Sequence, residues 1–170
     1  MAQRGWIRAV GLALLVALGL AGPAEAAPAA AEPATVRFER APVALLTADG
    51  RRVVINAELA TSPAQLEQGL MFRTALAADG GMLFDFGAPR MVAMWMKNTL
   101  IPLDMLFIDA TGTIRYIEEN APPHSLEPRG PALPVRAVME LAGGSARRLG
   151  LRPGDRVEHP IFAAAPMSFR

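Results

Sequence analysis

There is no cysteine among the 170 residues of this chain. That absence excludes disulfides, thiolate zinc sites and cysteine nucleophiles together. Lysine is almost missing as well: Lys97 is the only one among 17 basic residues. Nor is there an excess of charge, since 16 acidic residues stand against those 17. Nucleic-acid binders normally show a basic surplus, so no nucleic-acid partner is expected. The only two histidines, His124 and His159, are too far apart to give ligand spacing. No Gly-x-Ser-x-Gly elbow, P-loop or dinucleotide fingerprint occurs, and no repeat or heptad. The expectation is therefore no metal and no cofactor.

What is present begins with a leader. Arg4 and Arg8 give a positive start, residues 9–20 are apolar, and Ala24-Glu25-Ala26 is a small-x-small cleavage site. The apolar run is about a dozen residues, short of the roughly 20 that a membrane helix needs. This reads as a signal peptide over 1–26, with export to the periplasm or beyond. Membrane contact is expected only through an uncleaved leader. Setting aside Arg4, Arg8 and Glu25 from the 17 and 16 leaves 15 charges of each sign. Residues 27–34 are an Ala/Pro-rich linker that cannot build a core. The domain is expected over 35–160, with a frayed tail at 161–170. Without disulfides it must be held by its core, and roughly 130 residues suffice for one compact domain.

Along the domain, short β-like stretches alternate with turn signals. Asp49-Gly50 and Ala110-Thr111-Gly112 are hairpin turns between apolar-alternating runs. The clearest helix is 62–73: Thr61 or Ser62 can cap it, Pro63 suits its first turn, and Leu66, Leu70 and Arg73 recur at helical spacing. Gly69 would lie inside that helix, which suggests close approach to a neighbouring element. Residues 82–86 read as a strand ended by Gly87, and 91–97 as a further strand. The latter puts Val92, Met94 and Met96 on one face, with Ala93, Trp95 and Lys97 on the other. Residues 121–134 form a Pro-rich excursion, long for a loop inside a compact domain. A strand at 135–141, a helical turn at 145–149 and a strand at 156–158 close the chain. The sum is about eight strands and one good helix.

These segments carry a resemblance. Gly69-Leu70-Met71-Phe72-Arg73, Gly81-Met82-Leu83-Phe84 and the run Trp95-Met96-Lys97-Asn98-Thr99-Leu100-Ile101-Pro102-Leu103-Asp104 resemble the DUF192 family, also called UPF0127. Phe107-Ile108-Asp109, Pro122-Pro123, Met139-Glu140-Leu141 and Gly154-Asp155 follow in the family's order. The resemblance implies an α+β, predominantly β single domain, a curved sheet or partly open barrel with one packed helix. It implies many exported relatives, and it brings no catalytic residue list. Many members carry cysteines near the positions filled here by His124 and Arg129, so a disulfide or thiol role for that loop is not shared by this chain.

The sole lysine stands two residues from Trp95, the only tryptophan outside the leader. An indole platform, an ammonium and the amide of Asn98 suit a ligand with an anionic or carbonyl group. The candidate ligand-binding residues are Trp95, Lys97, Asn98 and Asp104, lined or supported by Arg73 and Glu140, with no catalytic residue. The bland alternative makes Trp95 core and pairs Lys97 with Glu140 or Asp104. Met91, Met94 and Met96 invite a Cu(I) reading, but only two share a face and core packing explains them better. The favoured function is a non-enzymatic binding or accessory module of the cell envelope, its partner a small molecule or an envelope protein. The alternatives are an envelope enzyme using Lys97 with a carboxylate, and a purely structural partner.

Overall fold

A computed structural model of the protein describes residues 36–163. The leader, the linker and residues 164–170 of the tail lie outside the described residues. Seven strands form in the order β1 Glu39–Leu46, β2 Arg52–Ala60, β3 Gly80–Arg90, β4 Leu103–Ile108, β5 Ile114–Ala121, β6 Val135–Ala142 and β7 Arg156–Glu158. Helix α1 (Pro63–Gln68) joins β2 to β3, and α2 (Ser145–Leu149) joins β6 to β7. The strands make one sheet in the order β5-β4-β6-β3-β2-β1-β7. Only β2 and β3 run parallel, which is why a helix-bearing crossover connects them.

The sheet curls until its edges touch at one end. Thr113 bridges Arg156, the Ile114 amide donates to the Asp155 carbonyl at 2.8 Å, and the Val157 amide donates to the Gly112 carbonyl at 2.7 Å. Gly112 has φ +83, and a Cβ there would stand 2.5 Å from the Val157 carbonyl oxygen. The predicted Gly112 hairpin therefore also makes the seam. A partly open barrel results, as expected.

Alternation along the strands divides the apolar residues into two layers. Val43, Leu45, Ile55, Leu106, Ile108, Ile114, Met139 and Leu141 fill the barrel interior. Met82, Phe84, Met105, Phe107 and Val138 point outward from β3, β4 and β6 into a second buried layer. Every residue of β4 is buried as a consequence. Fully burying one such side chain contributes about 1.5–3 kcal/mol. The second layer is roofed by irregular chain, residues 91–101 and 122–134. Amides of Met94 and Arg129 each donate to the other's carbonyl at 2.8 Å, and Met96 donates to Ser125 at 2.8 Å. The Pro-rich excursion is thus a structural cover.

Several boundaries differ from the sequence expectation. Helix α1 ends at Gln68, capped at its start by a reciprocal Ser62–Gln65 box, and Gly69 terminates it instead of sitting inside. The close approach inferred for Gly69 is real: a Cβ there would meet the Phe84 ring at 3.0 Å. Residues 91–97 keep the predicted alternation but pair only through the isolated Met94–Arg129 bridge, so the described residues form seven strands. Strand β3 runs past Gly87 to Arg90, with a register irregularity after Asp85. The chain beyond Pro160 makes a 3-10 turn over Pro160–Phe162, and Ile161 and Phe162 pack on the interior layer.

Candidate functional site

The segment 91–97 crosses the roof edge-on, and its alternation decides what faces solvent. Val92 and Met94 are half-buried and Met96 is fully buried, whereas Trp95 stays 50% exposed. Lys97 is exposed beside it, its Nζ 5.2 Å from the indole centroid. Such an exposed cation–π contact is worth about 0.5–1 kcal/mol, enough to bias the stem without locking it. Across from the indole stands the end of α1 and the turn after it. Phe72, in the turn after α1, takes φ +64, and Asn98, just past Lys97, takes φ +56. Asn tolerates that backbone region, but a bulky residue there costs on the order of 1–3 kcal/mol. The Phe72 amide donates to the Asn98 carbonyl at 2.9 Å, which ties the two turns together. The Phe72 side chain is 66% exposed. Between these turns lies a groove of about 350 Å³ whose walls include Met71, Phe72, Trp95, Lys97 and Asn98.

Beneath the groove is a smaller hollow of about 30 Å³, sharing Glu67, Gln68, Met71, Trp95 and Lys97 with it. Its floor includes Glu140. This residue lies on β6 between Met82 of β3 and Met105 of β4, on the outward face of the sheet. It is 3% exposed. Its carboxyl makes no hydrogen bond or ion pair among the described residues, and burial alone pushes its pKa up to about 8. At neutral pH it is mostly a protonated acid. Leaving a polar group buried without a partner costs about 1–3 kcal/mol, and more for a charge.

The DUF192 family profile, described as an uncharacterized ACR, matches residues 44–159. This chain belongs to the DUF192 family. A crystal structure from Sinorhizobium meliloti, provisionally designated a transcription regulator, is 54% identical with a TM-score of 0.71. It covers 73% of this chain and 96% of its own. A protein of unknown function from Novosphingobium aromaticivorans is 41% identical with a TM-score of 0.70. It covers 79% of this chain and 95% of its own. Comparison with curated proteins gives no match.

Within this DUF192 domain, four of the six candidate residues border one or both of these adjoining hollows. Trp95 and Lys97 line both, Asn98 the outer one and Glu140 the inner one. The other two are engaged elsewhere. Arg73 holds Glu58 at 2.6 Å, and Arg40 reaches the same carboxylate at 2.8 Å. Asp104 is fully buried and accepts from the amides of Asn120 (2.7 Å), Gly144 (3.0 Å) and Ala146 (2.6 Å). It shares the inward face of β4 with Leu106 and Ile108, opposite in sense to Glu140. Asp104 therefore fixes the start of α2. Sequence reasoning missed Gln68, Met71 and Thr99 as lining residues. The close-approach glycine at the end of α1 was the available signal for the first two.

The methionine trio does not converge: Met91 is exposed and Met96 is buried in the second layer. Among the described residues no cluster of three His, Cys, Asp or Glu side chains could hold a metal ion. A larger hollow of about 490 Å³ lies by β7, lined by Arg52, Arg156 and His159. Its cations are already committed, Arg52 to Glu158 at 3.5 Å and Arg156 to the Thr111 carbonyl at 3.0 Å. Burial lowers the His159 pKa, so its imidazole is neutral at pH 7. Among the described residues, the charged side chains of that hollow are thus already compensated.

Proposed function

We propose that this DUF192 protein is an exported, non-enzymatic binding module whose ligand sits between Trp95 and the end of α1, above Glu140. The observation that carries the reading is Glu140, a buried carboxyl with no hydrogen-bond or ion-pair partner among the described residues, lining the inner hollow that shares Trp95 and Lys97 with the open groove. Perturbed groups of this kind cluster at functional sites because folding alone gains nothing from them. The exposed indole with an ammonium against its face supplies a contact platform at the rim. Export is supported by the leader-like residues 1–26. The exposure of Lys97 favours binding over amine catalysis, which calls for a desolvated lysine. The regulator designation of the Sinorhizobium relative finds little support here. The two α-helices of the described residues have six and five residues, and charge is balanced.

The test is a thermal-shift screen on protein recovered from the periplasm, its mass expected to correspond to a chain beginning at Ala27. Envelope metabolites, peptides and metals are the probes. A ligand at 100 times its Kd stabilises by about 2.7 kcal/mol through mass action. Trp95→Ala should fold normally, because the indole is half in solvent, and lose the shift. A screen without a hit, or hits that persist in both Trp95→Ala and Glu140→Gln, would overturn the site.

A further inference from the structure

An acid below and an ammonium above restrict what the groove can hold. We propose that its ligand is a small zwitterion, an apolar amino acid or short peptide, with its primary ammonium on Glu140 and its carboxylate on Lys97. The inference rests on the groove being the binding site.

Size sets the orientation. The inner hollow of about 30 Å³ holds one water-sized group, which an ammonium matches and a carboxylate does not. An ammonium brings three donors and no acceptor. Glu140, Gln68 and Thr99 all line that hollow and offer a carboxyl, an amide and a hydroxyl oxygen, while Leu70, Met71 and Phe84 supply apolar wall. The unpartnered carboxyl of Glu140 would gain a charge-assisted hydrogen bond, the strong kind in a dry site. Outside, Lys97 and Asn98 present donors at the rim of the 350 Å³ groove, where Phe72, Met71 and Trp95 can cover an apolar side chain. A ligand with only a cation would meet Lys97 on the way in. One with only an anion would leave Glu140 unpaired. Among the described residues, Glu67 and Lys97 are the only other charged side chains lining either hollow, and the flanking strands bring Met82 and Met105, which do not titrate.

Proton accounting gives a distinctive signature. The ligand arrives as a zwitterion, Glu140 changes from carboxylic acid to carboxylate, and its proton leaves to the buffer. No bond of the ligand is made or broken.

Calorimetric titration of the protein at pH 6.5, in two buffers of different ionisation enthalpy, tests this with four probes. L-leucine and leucyl-leucine carry both charges at two spacings; leucinamide lacks the carboxylate and 4-methylpentanoate lacks the ammonium. At least one zwitterion should bind about tenfold or more tighter than either singly charged analogue, with release of close to one proton. Leucine preferred over the dipeptide indicates a free amino acid, and the reverse indicates peptide termini. Glu140→Gln should abolish the proton release and the preference over 4-methylpentanoate. Lys97→Met should abolish the preference over leucinamide. Equal binding of an analogue, or zwitterion binding unchanged in Glu140→Gln, overturns the proposal. If none of the four binds while the thermal-shift screen finds another class, the zwitterion falls and the site stands. If no compound raises the midpoint, both fall.

Discussion

Glu140 is the residue at which folding and function pull apart. An ordinary glutamate has a pKa near 4.5, and burial raises it to about 8 in the folded protein. Between these values the native state binds the extra proton and the unfolded state does not. Stability is therefore full below about pH 4.5, falls as pH rises, and levels off above about 8. The limiting slope is about 1.4 kcal/mol per pH unit for one proton. Denaturant unfolding followed from pH 5 to pH 9 should show this loss in the native protein. Glu140→Gln should remove that slope and be the more stable protein at pH 9. A variant with the same pH profile as the parent would mean the carboxyl is not protonated in the fold. Asp104 makes the contrast: equally buried, it has three backbone amides to accept from, and belongs to the architecture.

At the scale of elements, the roof over the second layer depends on one arginine. Arg129 donates to Glu118 at 2.6 Å, Ser125 at 3.2 Å and Glu127 at 3.1 Å, while its backbone is paired with Met94. Glu118 is held below the usual carboxylate range by the Tyr116 hydroxyl, and also by Arg129. Arg129→Met keeps the stem and removes the fork. We expect a loss of about 1–3 kcal/mol, discounted because the two carboxylate partners, Glu118 and Glu127, are partly wet. Hydrogen exchange should localise it, with the Met94, Met96 and Arg129 amides losing protection before those of β4. Uniform loss of protection would show that 91–101 and 122–134 are not a separable cover. The same elements show what sequence could disclose. The alternation of 91–97 was legible because burial of every second side chain imposes period two, whether or not the backbone joins a ladder. Its pairing with 122–134 was not, since a Pro-rich segment bonds irregularly and leaves no periodic trace. Helix α1 was overextended for a related reason: Leu70 and Arg73 fit helical spacing, but Gly69 turns the chain where the Phe84 ring would collide with a side chain.

For the whole molecule, closure of the barrel rests on the Gly112 turn meeting β7. Gly112→Ala would force a side chain into a positive-φ position and 2.5 Å from the Val157 carbonyl oxygen. The expected cost is about 1–3 kcal/mol, with β7 and the 160–162 turn loosened first. A lowered unfolding midpoint, with the β7 amides exchanging fastest, checks this; an unchanged midpoint would show that the seam contributes nothing.

The sequence alone was enough for the family, the predominantly β class, both hairpins, the α1 start and the placing of Trp95 and Lys97 on one face, while the structure decided that this face is exposed. Those features follow from local chemistry: turn residues, caps and the period of apolar positions. Tertiary structure decided which carboxylate the groove received. Glu140 and Asp104 look alike in sequence, each one acid within an apolar run. Their side chains leave the sheet on opposite faces, into a cavity floor in one case and onto three backbone amides in the other. Strand register and the loops on each face set that difference, and both arise from contacts between residues far apart in the chain.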